Sequence, residues 1–261
     1  MKNRNGIKWS RDETILAFEL YCRTPLGKIG QSNPDIVELA ELLGRTPGSV
    51  GLKMHNLAHF DSTLQQRNVT SMSHGSKLDA EIYSEFSRDC SKLAYQAQII
   101  KAKMQNLEFR DIIDVDDLDL IPPPGEYREQ MMKTRIGQYF FRISVLNSYD
   151  NKCCVTGLCK PELLVASHIK PWKVSDERTE RTNPSNGLCL NSFHDKAFDR
   201  GLITITRDFR ILISDAVKDV EMDAGTREWF MGYSNREIHL PNKFLPGKKF
   251  IEYHNEVIFQ G

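Results

Sequence analysis

The chain has 261 residues, 40% of them hydrophobic, with 35 basic and 35 acidic side chains and a formal net charge of +0. That is enough for one large or two modest domains with a sizeable core, and the charge balance argues against a polycation that holds nucleic acid through phosphates alone. No apolar run is long enough to span a bilayer and no secretory stretch opens the sequence, so the expectation is a soluble cytoplasmic protein whose six cysteines are free thiols.

Residues 1–60 read as three short helices. Ser10 and Glu13 have capping-box spacing, and Ile15, Phe18 and Cys22 follow on one face. Asn33-Pro34 opens a second helix with Ile36, Leu39, Ala40 and Leu43 at i, i+3, i+4 and i+7, ended by Gly44. Thr46-Pro47 opens a third, with Val50, Met54 and Leu57 as its buried stripe and Ser49, Lys53 and Asn56 on an adjoining exposed face. The text WSRDE with LLGRTPGSVGLKMHNL resembles Myb/SANT-like and other helix-turn-helix domains. That resemblance implies a last helix in the major groove, with Ser49, Lys53 and Asn56 facing DNA and the last two donating to purine edges. The other reading is a three-helix bundle that only packs on the rest of the chain or on a second subunit.

Residues 61–126 read as a connector. Positions 71–76 form a loop, with His74 lacking any partner at ligand spacing, and the stretch to Met104 is helix-compatible, with Ile82, Phe86, Leu93 and Ile99 as packing residues. The run EFRDIIDVDDLDLIPPPGEY then joins clustered acid to three prolines, the composition of a solvated linker. It gives residues 61–120 an acidic excess, whereas the segments on either side are mildly basic.

From residue 127 a third region begins. Met132, Ile136, Phe140, Ile143 and Val145 make a helical apolar face ending near Tyr149, and Asp150-Asn151 starts a turn. Arg135 and Arg142, seven apart, share a face on which they can meet phosphate, solvent or acidic partners. Cys153, Cys154, Cys159 and Cys189 cluster, but without paired C-x-x-C knuckles a structural zinc is not expected, and the thiols should pack as small hydrophobes.

The chemistry concentrates at 163–205. The apolar run LLVA suits a buried strand that delivers His168 at its end. The turn-rich string Asn183-Pro184-Ser185-Asn186-Gly187 brings the chain back as a second strand, Leu188 to Leu190, and His194 opens a short helix, HDKAFD. An imidazole that titrates near neutral pH can activate water, and a divalent cation can neutralise a leaving oxygen. Strand, strand and helix with His, Asn and His at their edges, in the text HIKPW, NGLCL and FDRGLIT, resemble the HNH endonucleases of the ββα-metal superfamily. The lead-in RIGQYFFRISVLNSYDNKCCVTG is similar to that of a bacterial restriction-endonuclease-like subfamily.

The resemblance implies that His168 is the general base, Asn186 the residue that orients it, and His194 a ligand of Mg2+ or Mn2+. Asp199 is the expected second ligand. Asp195 is set aside because, next to His194, it should point elsewhere around the helix. Ser167 stands where many members carry an additional metal-binding His or Asp.

After the core, Leu202–Ile205 and Arg210–Ile213 alternate as a hairpin, the tail ends in an amphipathic helix, and His239 and His254 read as structural. The expected class is α+β: a ββα-metal core with flanking helices and a C-terminal hairpin over residues 127–261, plus an all-α N-terminal domain. The implied function is metal-dependent cleavage of double-stranded DNA by a homodimer, in restriction or phage defence. A DNA-binding regulator with a degenerate core and a nuclease toxin are the alternatives.

Overall fold

The computed structural model describes residues 6–66, 75–107, 126–218 and 220–261. His74 and the acidic, proline-rich stretch at 108–125 lie outside them. The chain divides into two compact units, Met1–Ser144 with Glu177–Asn183, and Val145–Asp176 with Pro184–Gly261. These limits follow neither the expected break at residue 60 nor the one at 127.

The first unit is built around helix α1 (Arg11–Arg23). Its start is the expected capping box: the Ser10 hydroxyl accepts from the Glu13 amide, and the Glu13 carboxylate accepts from the Ser10 amide at 2.7 Å. Helix α2 (Pro34–Leu43) begins at an Asn33 cap and ends at Gly44, which takes the left-handed conformation (φ 65°) that a residue with a Cβ adopts only at a cost. Helix α3 (Pro47–Ala58) is capped by Thr46 and buries Val50, Met54 and Leu57. After a short α4 (Ser62–Gln66) come α5 (Lys77–Phe86) and α6 (Cys90–Gln105).

The three-helix expectation is corrected here. Helices α5 and α6 are not a connector: both pack on α1, as do α2 and α3. Every residue of α1 from Glu13 to Cys22 is therefore buried, because the face that would have met solvent in a three-helix bundle is covered by α5 and α6. The polar groups caught inside are paired. The Tyr21 hydroxyl donates to Asp61 at 2.9 Å. Arg45 donates to both carboxylate oxygens of Glu13 at 2.9 and 3.0 Å and lies over the Trp9 ring at 4.4 Å.

Helix α7 (Glu126–Ser148) crosses from one unit to the other. Its buried residues include Met132, Ile136, Phe140 and Val145, as the periodicity predicts, with Phe141 and Leu146 added. Asp150 and Asn151 then both adopt positive φ (53° and 55°), the turn expected there.

In the second unit β1 (Leu164–His168) pairs antiparallel with β2 (Gly187–Asn191), in a register that sets Leu164 opposite Asn191 and His168 opposite Gly187. Helix α8 (Ser192–Asp199) packs on both strands, completing the expected ββα order. Strands β3 (Ile203–Ile205) and β4 (Ile211–Ile213) form the expected hairpin. Helices α9 (Ala224–Met231) and α10 (Lys248–Tyr253) follow, and the chain closes with one π-helical stretch, His254–Ile258. Gly201, at φ 68°, lies so close to this stretch that a Cβ would overlap the Ile258 carbonyl oxygen. No described helix is long and apolar enough to cross a membrane.

His254 is buried, stacked on Phe198 at 3.8 Å, with Nε2 3.1 Å from the Phe198 carbonyl and Nδ1 2.8 Å from the Thr204 hydroxyl, which agrees with the structural role expected of it. Burial lowers its pKa to about 4 from the ordinary 6.5. Because the folded value is the lower one, the stabilisation is complete above about pH 6.5 and is lost as pH falls through 4; its ceiling is about 3 kcal/mol at about 1.4 kcal/mol per pH unit. Urea unfolding of the wild type is expected to lose midpoint steadily between pH 6.5 and 4, and His254→Gln to flatten that limb. Parallel pH profiles for the two proteins would show that His254 does not charge on unfolding.

Candidate active site

His168 ends β1 half-buried, with its ring edge-on to Trp172 at 5.5 Å. Beside it the chain is locked by Asn186, the last residue of the turn before β2 and 0% exposed. The Asn186 carbonyl accepts from the Ile169 amide at 2.9 Å. Its side-chain oxygen accepts from the Lys170 amide at 2.8 Å, and its side-chain nitrogen donates to the Lys170 carbonyl at 3.1 Å and to the Ser175 hydroxyl at 3.3 Å. Ser175, also buried, donates to the same Lys170 carbonyl at 3.0 Å. Asn186 thus clamps the backbone leaving His168. This is how a buried amide, able to donate and accept at once, fixes a neighbouring imidazole without occupying its ring nitrogens. Ser175 carries part of the clamp and was not singled out in the sequence, where an isolated serine in a polar loop has no periodic or motif signal.

His194 departs from the expected role. It is 1% exposed and enclosed by Trp229 (ring centroids 4.8 Å), Tyr233 (5.8 Å) and Phe230 (6.2 Å). The helix cap Asn191 settles its tautomer. Asn191 Oδ1 accepts from the amides of Phe193 and His194 at 3.1 and 2.9 Å, so its Nδ2 is the atom facing His194 Nδ1 at 2.9 Å and donates to it. In the neutral ring the proton then sits on Nε2, which has no hydrogen-bond partner among the described residues. Burial pulls the pKa down to about 4, so the ring is neutral at pH 7. One nitrogen has its lone pair engaged and the other carries hydrogen, so in this arrangement neither can hold a cation. A metal-bound His ordinarily donates its second N–H to an acceptor, and here the second nitrogen faces a donor instead.

Asp199 does not join His194. Five residues on a helix turn the side chain about 140°, leaving Asp199 exposed and His194 buried. The neighbour of Asp199 is Asp195, one turn before it, and the Asp199 carboxyl is raised first by partial burial and next by the Asp195 charge. The residue set aside in the sequence reading therefore shares a face with Asp199. The argument that turned it away from His194 is the one that turns it toward Asp199. Two like carboxylates one turn apart repel, and a hard divalent cation relieves that repulsion through oxygen ligands. This pair fits Mg2+ or Mn2+, whereas His194 does not. Among the described residues no group of three or more His, Cys, Asp or Glu is gathered at metal distance, so further oxygens would have to come from water or substrate.

Ser167 is buried with its hydroxyl unpaired among the described residues. Cys153, Cys154 and Cys189 are buried and Cys159 is exposed. The Cys153 sulfur accepts from the Asn191 amide at 3.3 Å, and burial raises the Cys154 thiol.

Of the residues expected to face DNA, Lys53 is not on an exposed face. It is 6% exposed, donates to Asp79 of α5 at 2.7 Å and lies 5.1 Å from the Trp9 ring centroid. Once α5 covers that side of α3, an amine there needs a counter-charge, and Asp79, 0% exposed, supplies it. Ser49 and Asn56 are half-buried, as is Arg135, and Arg142 is exposed.

Residues 153–206 match the family model of an HNH endonuclease, HNH_2. No curated protein matches the chain. Among solved structures, the modification-dependent TagI restriction endonuclease is similar at 19% identity with a TM-score of 0.27, over 44% of this chain and 35% of that one. The chain thus spans about a third of the length of that protein.

Proposed function

Starting from an HNH endonuclease domain at residues 153–206, we propose that this protein is a metal-dependent endonuclease that hydrolyses double-stranded DNA in restriction or phage defence. The observation that supports the reading most is the lock between Asn186 and the backbone that follows His168. A base at a strand end can take a proton from water only if its ring is held, and the clamp holds it. In the reaction His168 removes a proton from water, the hydroxide attacks phosphorus in line, and the bond to the departing 3′ oxygen breaks. Asp195 and Asp199 would hold the Mg2+ or Mn2+, which when bound neutralises charge developing at the phosphate. His194 holds α8 in place through its cap and its aromatic neighbours.

Targeting in this reading belongs to the helical unit. Ser49 and Asn56 on α3, together with Arg135 and Arg142 on α7, are the side chains offered to DNA, and Lys53 supports α3 from inside. A cut through both strands by a chain with one such site requires two copies, so the active species is read as a homodimer.

The test uses the full chain with supercoiled plasmid, modified and unmodified, in Mg2+ or Mn2+. Nicked or linear product is expected with cation and none with EDTA. Intact plasmid in every lane overturns the reading. Asp195→Asn and Asp199→Asn are each expected to raise the cation concentration needed for half-maximal cleavage by tenfold or more, the order of effect of losing a first ligand from a sparse site. His194→Gln is expected to lower the melting temperature with a smaller change in cation requirement. The reverse ranking in a Mn2+ titration would return His194 to the metal.

A further inference from the structure

Helix α9 and the turn after it form a recess of about 350 Å³ lined by Gly225, Glu228, Trp229, Gly232, Tyr233 and Arg236. Trp229 packs against Phe193 and His194, with ring centroids 4.8 Å away in both cases, yet stays 40% exposed. A half-covered indole on the wall of a recess is an unusual surface for a chain that has buried its other large apolar groups. Arg236 lies 5.6 Å from the Tyr233 ring and makes no ion pair among the described residues, and the exposed Glu228 likewise has none. An indole, a phenol, a guanidinium and a carboxylate around one opening match a nucleotide group by group. The ring faces match the π-surface of a base, the guanidinium matches a phosphate, and the carboxylate can accept from an exocyclic amino group.

We propose that this recess receives one unstacked, amino-bearing nucleobase of the nucleic-acid substrate against Trp229 and Tyr233, with Arg236 at its phosphate and Glu228 at its amino group. The proposal rests on the nuclease reading above. It gains weight from the way α9 is tied to α8. Trp229 and Phe230 pack on Phe193 and His194, so the recess is carried on a helix locked to the one that presents Asp195 and Asp199.

The probes are deoxycytidine monophosphate, thymidine monophosphate and deoxyribose 5-phosphate, titrated into the full chain without added cation and followed by tryptophan fluorescence. Deoxycytidine monophosphate is expected to bind more tightly than thymidine monophosphate, and both more tightly than the sugar phosphate. Trp229→Ala is expected to weaken nucleotide binding by roughly 5- to 150-fold, the range for losing one base stack, followed calorimetrically since that indole is gone. Trp229→Phe should retain most of the affinity. Arg236→Ala, at an exposed position that leaves the core untouched, is expected to weaken both nucleotides and the sugar phosphate alike, and Glu228→Gln to remove the preference for cytosine. Should Trp229→Ala fail to fold, Trp229→Phe, Arg236→Ala and Glu228→Gln decide. Nucleotide affinity indifferent to these changes overturns the recess. Nucleotide bound at the recess by a protein that cuts no plasmid strikes the nuclease reading instead, so the two failures are distinguishable.

Discussion

His168→Ala is expected to slow phosphodiester cleavage by roughly 10²- to 10⁴-fold, the usual contribution of a placed general base. The loss should fall on the chemical step. His168 is half-buried at the strand end and the local backbone is held by Asn186, Lys170 and Ser175 through bonds that do not involve the imidazole. Removing the ring therefore leaves the clamp, the strand pairing and the carboxylate pair on α8 in place. Single-turnover cleavage at saturating protein, beside a gel-shift affinity for the same DNA, separates rate from binding. Affinity within about twofold of the parent and a rate lower by two or more orders of magnitude is the expected pair of results. A mutant that cuts at near-parental rate at neutral pH would remove His168 from the mechanism. Asn186→Ala should land between the two, because it frees the backbone of the base but leaves the base itself.

The second large effect is on stability. Lys53→Ala is expected to cost the helical unit about 3–5 kcal/mol, the penalty for leaving one member of a buried ion pair without its partner. Asp79 is 0% exposed and its remaining bond is to the Ser76 amide at 2.9 Å, so loss of the amine strands a carboxylate in the core between α3 and α5. Trp9, which lies over both Arg45 and Lys53, would lose one of its two cations. Urea unfolding followed at a helical signal reads the loss directly, and pairing Lys53→Met with Asp79→Leu should recover most of it by replacing both charges together. A change below 1 kcal/mol for Lys53→Ala would mean the pair is hydrated. Weaker DNA binding by Lys53→Ala would report this loss of folding, and Ser49 and Asn56 are the positions at which base reading by α3 can be tested cleanly.

The sequence by itself determined what depends on neighbours along the chain. Capping boxes and turn residues act within a few positions, so the start of α1 at Ser10, the end of α2 at Gly44, the left-handed turn at Asp150-Asn151 and the β3–β4 hairpin were all legible. The order strand, strand, helix around His168, Asn186 and His194 was legible for the same reason, since each residue sits at a boundary marked by its own flanking text. What only the tertiary structure decided was which surfaces are covered. A helix face reads as exposed until another element packs on it, and neither α5 and α6 lying on α1 nor Asp79 reaching Lys53 leaves a trace in local periodicity. The same holds for His194. Its spacing from Asn186 reads as a ligand, but a lone pair is available only if nothing donates to it, and the donation from Asn191 and the enclosure by Trp229, Phe230 and Tyr233 come from groups placed by folding. Charge pairs one helical turn apart were within reach of the sequence, because Asp195 and Asp199 are related by helix geometry alone. Burial, tautomer and partner are properties of the packed state, and for this protein they moved the candidate cation site from His194 to that pair and moved Lys53 from the surface of α3 into its core.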